Sequence, residues 1–405
     1  MDVSETRPTA APSFPLLALV ILAGAIFASV TSEVLPTALL PQMAEGLNVS
    51  ESQIGLLVTV FAGTVVLSAA PLTNLTHRFG RKNLVLFVLL GFAATNFLGA
   101  IAPNYAVMLL SRVLGGLAHG LFWAVVGAYA AHLVPPRQLS RAVAVTGAGA
   151  TLAFILGVPV GTALGHLIGW RLAFATMGIT ILVLTALVLR FLPRVNHITA
   201  LKTGEIALPM RRDPSLFGIA VICIVTTVLM SGQNIFYTYI VPFFMTVAGF
   251  AGGSVALLLF AYGVAGAIGL FVVGLIGGKY PRASLVSAFV FVGIAVATIA
   301  LFPTVSWLMV AMLVLWGAAF GGTPALLQTR ILRTTSARLR DVSSAYYATS
   351  FNIGIGGGAL VGSLLLDQYG LGVLPFVDVA VTIAGILLIL FTNRLLHRRA
   401  QRLGR

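Results

Sequence analysis

Charge is what this chain has least of. Asp, Glu, Lys and Arg make up 8% of its 405 residues, against roughly one quarter in soluble domains, which excludes a water-soluble globular fold. Acids are scarcest, ten in all, and no paired carboxylates, nucleophile or metal-ligand cluster of an enzyme is visible. The single Cys223 lies in an apolar run, which excludes an intramolecular disulfide and a thiolate metal site. A Gly-x-x-x-x-Gly-Lys-Ser/Thr loop is also missing, so ATP-driven work by this chain has no phosphate cradle. No cofactor and no metal are expected.

What is present is apolar length, with 59% of the residues hydrophobic. Runs of about 20 apolar residues recur, each long enough for a hydrocarbon core of about 30 Å at a helical rise of about 1.5 Å per residue. Stretches such as "LVLFVLLGFAATNFLGAIA" (84–102) are apolar on every face, whereas strands of a membrane barrel alternate. The reading is an all-α polytopic membrane protein. Twelve spans are predicted, at 14–41, 52–76, 83–102, 105–132, 139–165, 169–192, 215–241, 253–277, 283–303, 306–332, 341–365 and 372–395. The first run ends in the small residues of "FASVTS", like a cleavable signal, but removing it would leave an odd number of spans.

The net charge of +14 raises the question of nucleic acid, and the position of the charges answers it. With twelve spans, 22 of the 24 Lys and Arg residues fall on one side of the membrane. The exceptions are Arg171 in an opposite connection and Arg112 inside a span. The positive-inside rule makes that side, with both termini, cytoplasmic, and no nucleic-acid partner is expected.

The longest polar connection, 193–214, divides the chain into an N-terminal six-helix bundle (1–192) and a C-terminal bundle with a basic tail (215–405). Glycines at 157, 161 and 165 are echoed at 354, 358 and 362, a spacing that lines one helical face for close helix approach. Six plus six spans with a repeat point to a secondary transporter that rocks two pseudo-symmetric bundles around a midplane site.

The residues also carry a family likeness. "THRFGRKNLV" after span two matches the Gly-x-x-x-Asp-Arg-x-Gly-Arg-Lys pattern of the major facilitator superfamily at Arg78, Gly80, Arg81 and Lys82. Thr73 and His77 depart from it. Span four carries the family's Arg-x-x-x-Gly at Arg112 and Gly116, and span five carries "GVPVGTALG", a loose form of the antiporter motif with Gly157, Pro159 and Gly161. The whole chain resembles the twelve-span drug:proton antiporters, closest to the sugar-efflux and arabinose-efflux permease branch. That resemblance implies the two-bundle fold, gating roles for these motif residues, and central-cavity positions for spans one and four. The Arg and Lys after span two could equally serve topology alone.

Ionisable side chains at membrane depth are costly and mark functional candidates. They are Glu33, Arg112, His119 and Asp378, with His166 nearer the outer boundary. Counting rise per residue puts Glu33 about 5 to 10 Å and Arg112 about 10 Å below the outer boundary, and the cavity-lining positions that the resemblance implies for spans one and four make their interaction the expectation. Apolar surroundings favour the neutral acid and a guanidinium favours the carboxylate, so a change in hydration or distance changes proton affinity. A static ion pair holding two helices is the other reading.

Gly116, His119 and Trp123 continue the Arg112 stripe, and His119 is a proton-transfer or hydrogen-bonding candidate. Span seven holds "SGQNIFYTYIVPFF", whose Gln233, Asn234 and Tyr237 share a face and suit a hydroxyl-rich or aromatic solute. Trp123 and Asn352 join them as substrate-binding candidates; Phe243 and Phe244 read as an interfacial belt. Asp378, on a peripheral span, reads as locally paired or water-exposed.

The expectation is a proton-coupled exporter of a sugar, a related polar metabolite or a chloramphenicol-like drug, working as a monomer in a bacterial inner membrane. Its partners are the small-molecule substrate, protons and the lipid bilayer. An uptake symporter is the alternative; a channel would need charge rings or filter loops that this chain lacks.

Overall fold

The computed structural model describes residues 14–76, 79–134, 139–195, 213, 215–276, 280–335 and 340–402. Every regular element described in them is helical. Eleven helical stretches are long and apolar enough to cross a membrane, and a further helix bent by 43° makes twelve.

The first crossing is α1 (Leu16–Ala38), continued past a break by α2 (Leu40–Leu47). The break at Leu39 (φ −110°, ψ 11°) follows Pro36, which lies inside α1. Next come α3 (Glu51–Thr76), α4 (Arg81–Ala100), α5 (Tyr105–Leu133), α6 (Leu139–Ile168) and α7 (Trp170–Phe191). The seventh crossing repeats the first: α8 (Leu216–Tyr237) breaks at Tyr239 (φ −110°, ψ 20°) and resumes as α9 (Ile240–Pro242) and a π-helical turn over Phe243–Val247. Then follow α10 (Gly252–Ile276), α11 (Pro281–Leu301), the broken pair α12 (Ser306–Gly321) and α13 (Thr323–Thr334), α14 (Arg340–Tyr369) and α15 (Leu374–Arg402). The expected spans are thus present, but three are broken. An even number of crossings places the start of α1 and the end of α15 on one face.

Within the first half α6 packs on α1, α3 on α5 and α4 on α7; within the second, α14 packs on α8, α12 on α10 and α15 on both α8 and α11. The halves meet along α3 with α14 and α6 with α10. The bundle boundary expected at 193–214 falls largely outside the described residues.

Glycines set the close approaches. A Cβ on Gly116 would stand 2.8 Å from the Phe61 carbonyl of α3, and one on Gly317 would collide with the Tyr262 carbonyl of α10. Gly157 meets Thr31 and Val34 of α1, while Gly358 meets Ser231 and Asn234 of α8. Gly161 meets Leu35 and Ala38, while Gly362 meets Ile235 and Tyr239. These pairs, Gly116 with Gly317, Gly157 with Gly358 and Gly161 with Gly362, are each 201 residues apart. The glycine echo expected from the sequence is therefore one helical turn out of step: Gly157 corresponds to Gly358, not Gly354.

Where the halves touch, the same offset returns. Gly356 of α14 lies against Ala62 and Thr59 of α3, and Thr59 donates to the Gly356 carbonyl at 2.9 Å. Gly263 of α10 lies against the Ile155 carbonyl of α6. Pro159 has no N–H to offer that carbonyl, four residues back, which is where α6 bends. Further contacts join the halves at the face away from the termini. Ser52 Oγ donates to Asp367 Oδ1 at 2.5 Å, Ser363 donates to the Ser52 carbonyl at 3.1 Å, and the His166 ring covers Gly252.

Candidate functional site

Pro36 shapes the site before any charge does. Lacking an N–H, it leaves the Ser32 carbonyl of α1 without its helical donor. Arg112 of α5 supplies one: Nη1 donates to the Ser32 carbonyl at 3.0 Å and Nη2 to the Glu33 carbonyl at 2.9 Å. The guanidinium also lies over the Phe61 ring, 4.3 Å from its centroid. The expected partnership of Glu33 and Arg112 is thus made through the Glu33 backbone, because a forked cation best serves two successive carbonyls.

The Glu33 carboxylate turns instead toward His119, with Oε2 3.5 Å from Nε2. His119 is buried and Glu33 nearly so. The imidazole is held on its other side by Ser29 Oγ, 3.0 Å from Nδ1, and Trp123 Nε1 donates to Nε2 at 2.7 Å. Phe61 and Phe92 close edge-on around the ring. One turn away Asn96 of α4 donates to Ser32 Oγ at 2.9 Å, tying a third helix to α1. An acid and an imidazole thus meet in a mostly apolar wall, the arrangement needed to pass a proton between them.

Trp123 keeps 42% of its surface accessible. It shares its helix face with Arg112 and His119, opposite the exposed Leu110 and Leu114, so its open side gives onto the interior and away from lipid.

The second half holds a neutral counterpart. Measured from the breaks at Leu39 and Tyr239, Gln233 occupies the position of Glu33. Both ends of its amide are engaged: Trp316 Nε1 donates to Oε1 at 2.9 Å, and Nε2 donates one of its hydrogens to Tyr262 Oη at 3.1 Å. Gln233 therefore organises an aromatic cluster and is itself buried. Tyr237, partly open, packs against Tyr262 and Trp316 with ring centroids 5.4 and 6.1 Å apart. Asn234 and Asn352 are also partly open, and each spends an amide hydrogen on a carbonyl one turn back, Met230 and Ala348.

One expectation is narrowed and another corrected. Asp378 is not water-exposed but locally paired: it is fully buried, accepts from Thr382 Oγ1 one turn on at 3.1 Å, faces Gly232 of α8, and its Oδ2 has no partner among the described residues. Phe243 and Phe244 are buried, because the π-helical turn folds them onto Phe236 and Phe250 instead of the interface.

Of the loop motif, Arg78 lies outside the described residues. Gly80 precedes α4 with open space where a Cβ would be, Arg81 begins α4, and Lys82 donates to the Leu189 carbonyl at 2.9 Å, near the C-terminus of α7. Pro159 and Gly161 are buried in α6. Among the described residues no three His, Cys, Asp or Glu side chains gather as a metal site.

Sequence reasoning missed Ser29, Asn96, Phe61, Tyr262 and Trp316. Ser29 was findable, one turn before Glu33 on the same face; the others have no signature beyond being polar or aromatic within a span.

The family model described as Major Facilitator Superfamily matches residues 21–358 and 222–403. A "Probable sugar efflux transporter" of Helicobacter pylori is 32% identical over 364 residues, covering 90% of this chain and 92% of that protein. Another so named, from Pasteurella multocida, is 30% identical over 378 residues, covering 92% and 90%. Among solved structures, the nucleoside transporter NupG superposes with a TM-score of 0.75 at 13% identity, covering 93% of this chain and 99% of that one. A bacterial homolog of the human lysosomal transporter Spinster, inward-facing and unoccupied, gives 0.70 at 14% identity, covering 94% and 96%.

Proposed function

From the premise that the chain belongs to the Major Facilitator Superfamily, and is a multi-pass transporter and not an enzyme, we propose that it exports a sugar or related hydroxyl-rich solute in exchange for protons. The observation that carries the reading is the Glu33 and His119 pair, 3.5 Å apart in a buried wall beside the open face of Trp123. A carboxylate there binds a proton in one conformation and releases it in another, as hydration and the distance to Arg112 change. Coupling between proton and solute then follows from their opposed preference for the two states.

The solute is held between halves, by Trp123 on one side and Tyr237, Asn234 and Asn352 on the other, with Gln233 keeping Trp316 and Tyr262 in place. Aromatic faces with a few amides suit a sugar ring. The curated relatives' printed names favour sugar and favour efflux. The basic face, carrying both termini, is cytoplasmic by the positive-inside rule, so the contacts Ser52 to Asp367 and His166 to Gly252 close the outer side. The halves bounded by the 193–214 loop rock as units, as a monomer in a bacterial inner membrane, with Arg78, Gly80, Arg81, Lys82, Gly157, Pro159 and Gly161 serving the motion.

The test is transport in proteoliposomes under an imposed pH gradient, with lactose, D-glucose, uridine and chloramphenicol as probes. Wild type is expected to accumulate a sugar in exchange for protons. Glu33→Gln is expected to lose pH-driven flux and keep sugar counterflow, which needs no net proton transfer. Full pH-driven flux in Glu33→Gln would falsify the coupling role, and flux of uridine or chloramphenicol alone would replace the substrate class.

A further inference from the structure

An indole nitrogen carries a hydrogen and no free lone pair, so Trp123 can only donate. It donates to His119 Nε2 at 2.7 Å, which makes Nε2 the unprotonated nitrogen of a neutral ring. Nδ1 therefore bears the hydrogen and gives it to Ser29 Oγ at 3.0 Å. Two contacts specify one tautomer. The Glu33 Oε2 atom, 3.5 Å away, faces the same Nε2, whose single in-plane lone pair the indole already occupies.

We infer that Trp123 is a positioning residue that locks proton transfer between Glu33 and His119, and that a solute drawing the indole aside releases the lock. The inference rests on the proton-coupled reading above and goes beyond it, since it names where solute and proton meet.

Trp123 is built to move. Its ring meets His119 and Phe122 edge-on, with centroids 6.1 and 6.3 Å apart, and 42% of its surface is open. The imidazole is not: Phe61 and Phe92 enclose it from α3 and α4. The titratable and charged groups facing it among the described residues are Glu33 from α1 and Arg112 from its own helix.

With the indole withdrawn, the O–H bond at Glu33 Oε2 breaks and an N–H bond forms at His119 Nε2. A neutral pair becomes carboxylate and imidazolium, with Arg112 beside them to stabilise the new carboxylate. The imidazolium returns to neutrality by giving the proton to cavity water. A proton thus leaves when a solute arrives, as exchange requires, and without solute the path stays shut against leak.

The experiment needs no solute. In proteoliposomes holding a pH-sensitive dye, wild type is expected to pass few protons under a pH gradient. Trp123→Phe keeps a ring but loses the N–H, and its leak is expected to be several-fold larger. Adding Glu33→Gln to Trp123→Phe is expected to return the leak to the wild-type level. A Trp123→Phe leak equal to wild type, or one that persists in the double variant, overturns the lock. Failure of the coupling reading shows separately, as full pH-driven flux in Glu33→Gln alone. Should Trp123→Phe not fold, nitrogen-15 spectra of histidine-labelled wild type decide, with His119→Gln assigning the signal. The Nδ1–H tautomer is expected, and the Nε2–H tautomer overturns the lock.

Discussion

Pro36 and Arg112 explain each other. A helix carbonyl deprived of its donor at membrane depth costs several kcal/mol, and a guanidinium without acceptors costs at least as much. Their meeting at Ser32 and Glu33 removes both penalties and fixes α5 on α1. Lysine cannot span two carbonyls, so Arg112→Lys is expected to lose about 1.5–3 kcal/mol of that tie, read as roughly a tenfold or greater fall in counterflow. Pro36→Ala gives the Ser32 carbonyl a helical donor beside Arg112, which its second lone pair can still accept; it is expected to leave the melting temperature near wild type while lowering flux, because the shared carbonyl holds Arg112 less tightly. Unchanged flux would show that the carbonyl contact has no part in transport. Asp378 poses a simpler case, as a buried carboxylate with no cation beside it among the described residues. A neutral isostere suits such a place, so Asp378→Asn is expected to melt in detergent at or above the wild-type temperature. Glu33, Arg112 and His119 were legible in the sequence because ionisable groups stand out in apolar spans. What Arg112 binds was not, since every residue has a carbonyl and only the proline four positions on marks this one as free.

At the scale of elements, small residues decide where helices meet and proline decides where one bends. Gly263 faces the carbonyl that Pro159 leaves unbonded in α6, so a side chain there has backbone to push against. Gly263→Val is expected to part α10 from α6 and to lower stability by about 1–3 kcal/mol, seen as a lower melting temperature and lost flux. Gly80→Ala is the contrast, since among the described residues nothing lies where its Cβ would go, and its melting temperature is expected to match wild type. A large fall for Gly80→Ala would mean that α4 packs differently around its first turn. The glycine stripes of α6 and α14 were visible in the sequence, but their register was not. A stripe with a four-residue period matches itself when shifted by four, and only the contacts with α1 and α8 distinguish the alignments.

The whole molecule is two copies of one plan with unequal chemistry. Ile155 with Gly263 and Ala62 with Gly356 are the same contact 201 residues apart, and they lie in the seam between the halves. Where the first half has Glu33 with His119, the second has Gln233 held by Trp316 and Tyr262, so an acid and an imidazole meet on one side and a neutral amide in an aromatic wall stands on the other. Alternating access then requires that the contacts on the far face open. Among them, Ser52 and Asp367 come from opposite halves, and the Asp367 carboxylate of α14 meets Ser52 in the first turn of α3, where the helix dipole favours an anion. In a Cys223→Ala background, Ser52→Cys with Asp367→Cys joined by a short bifunctional thiol reagent is expected to hold that face shut and stop flux. A reagent cleavable by reductant should restore flux on reduction, and each single cysteine treated alike should retain it. Undiminished flux in the fully cross-linked protein would mean that this face need not open, and the seam between the halves would not be the axis of transport.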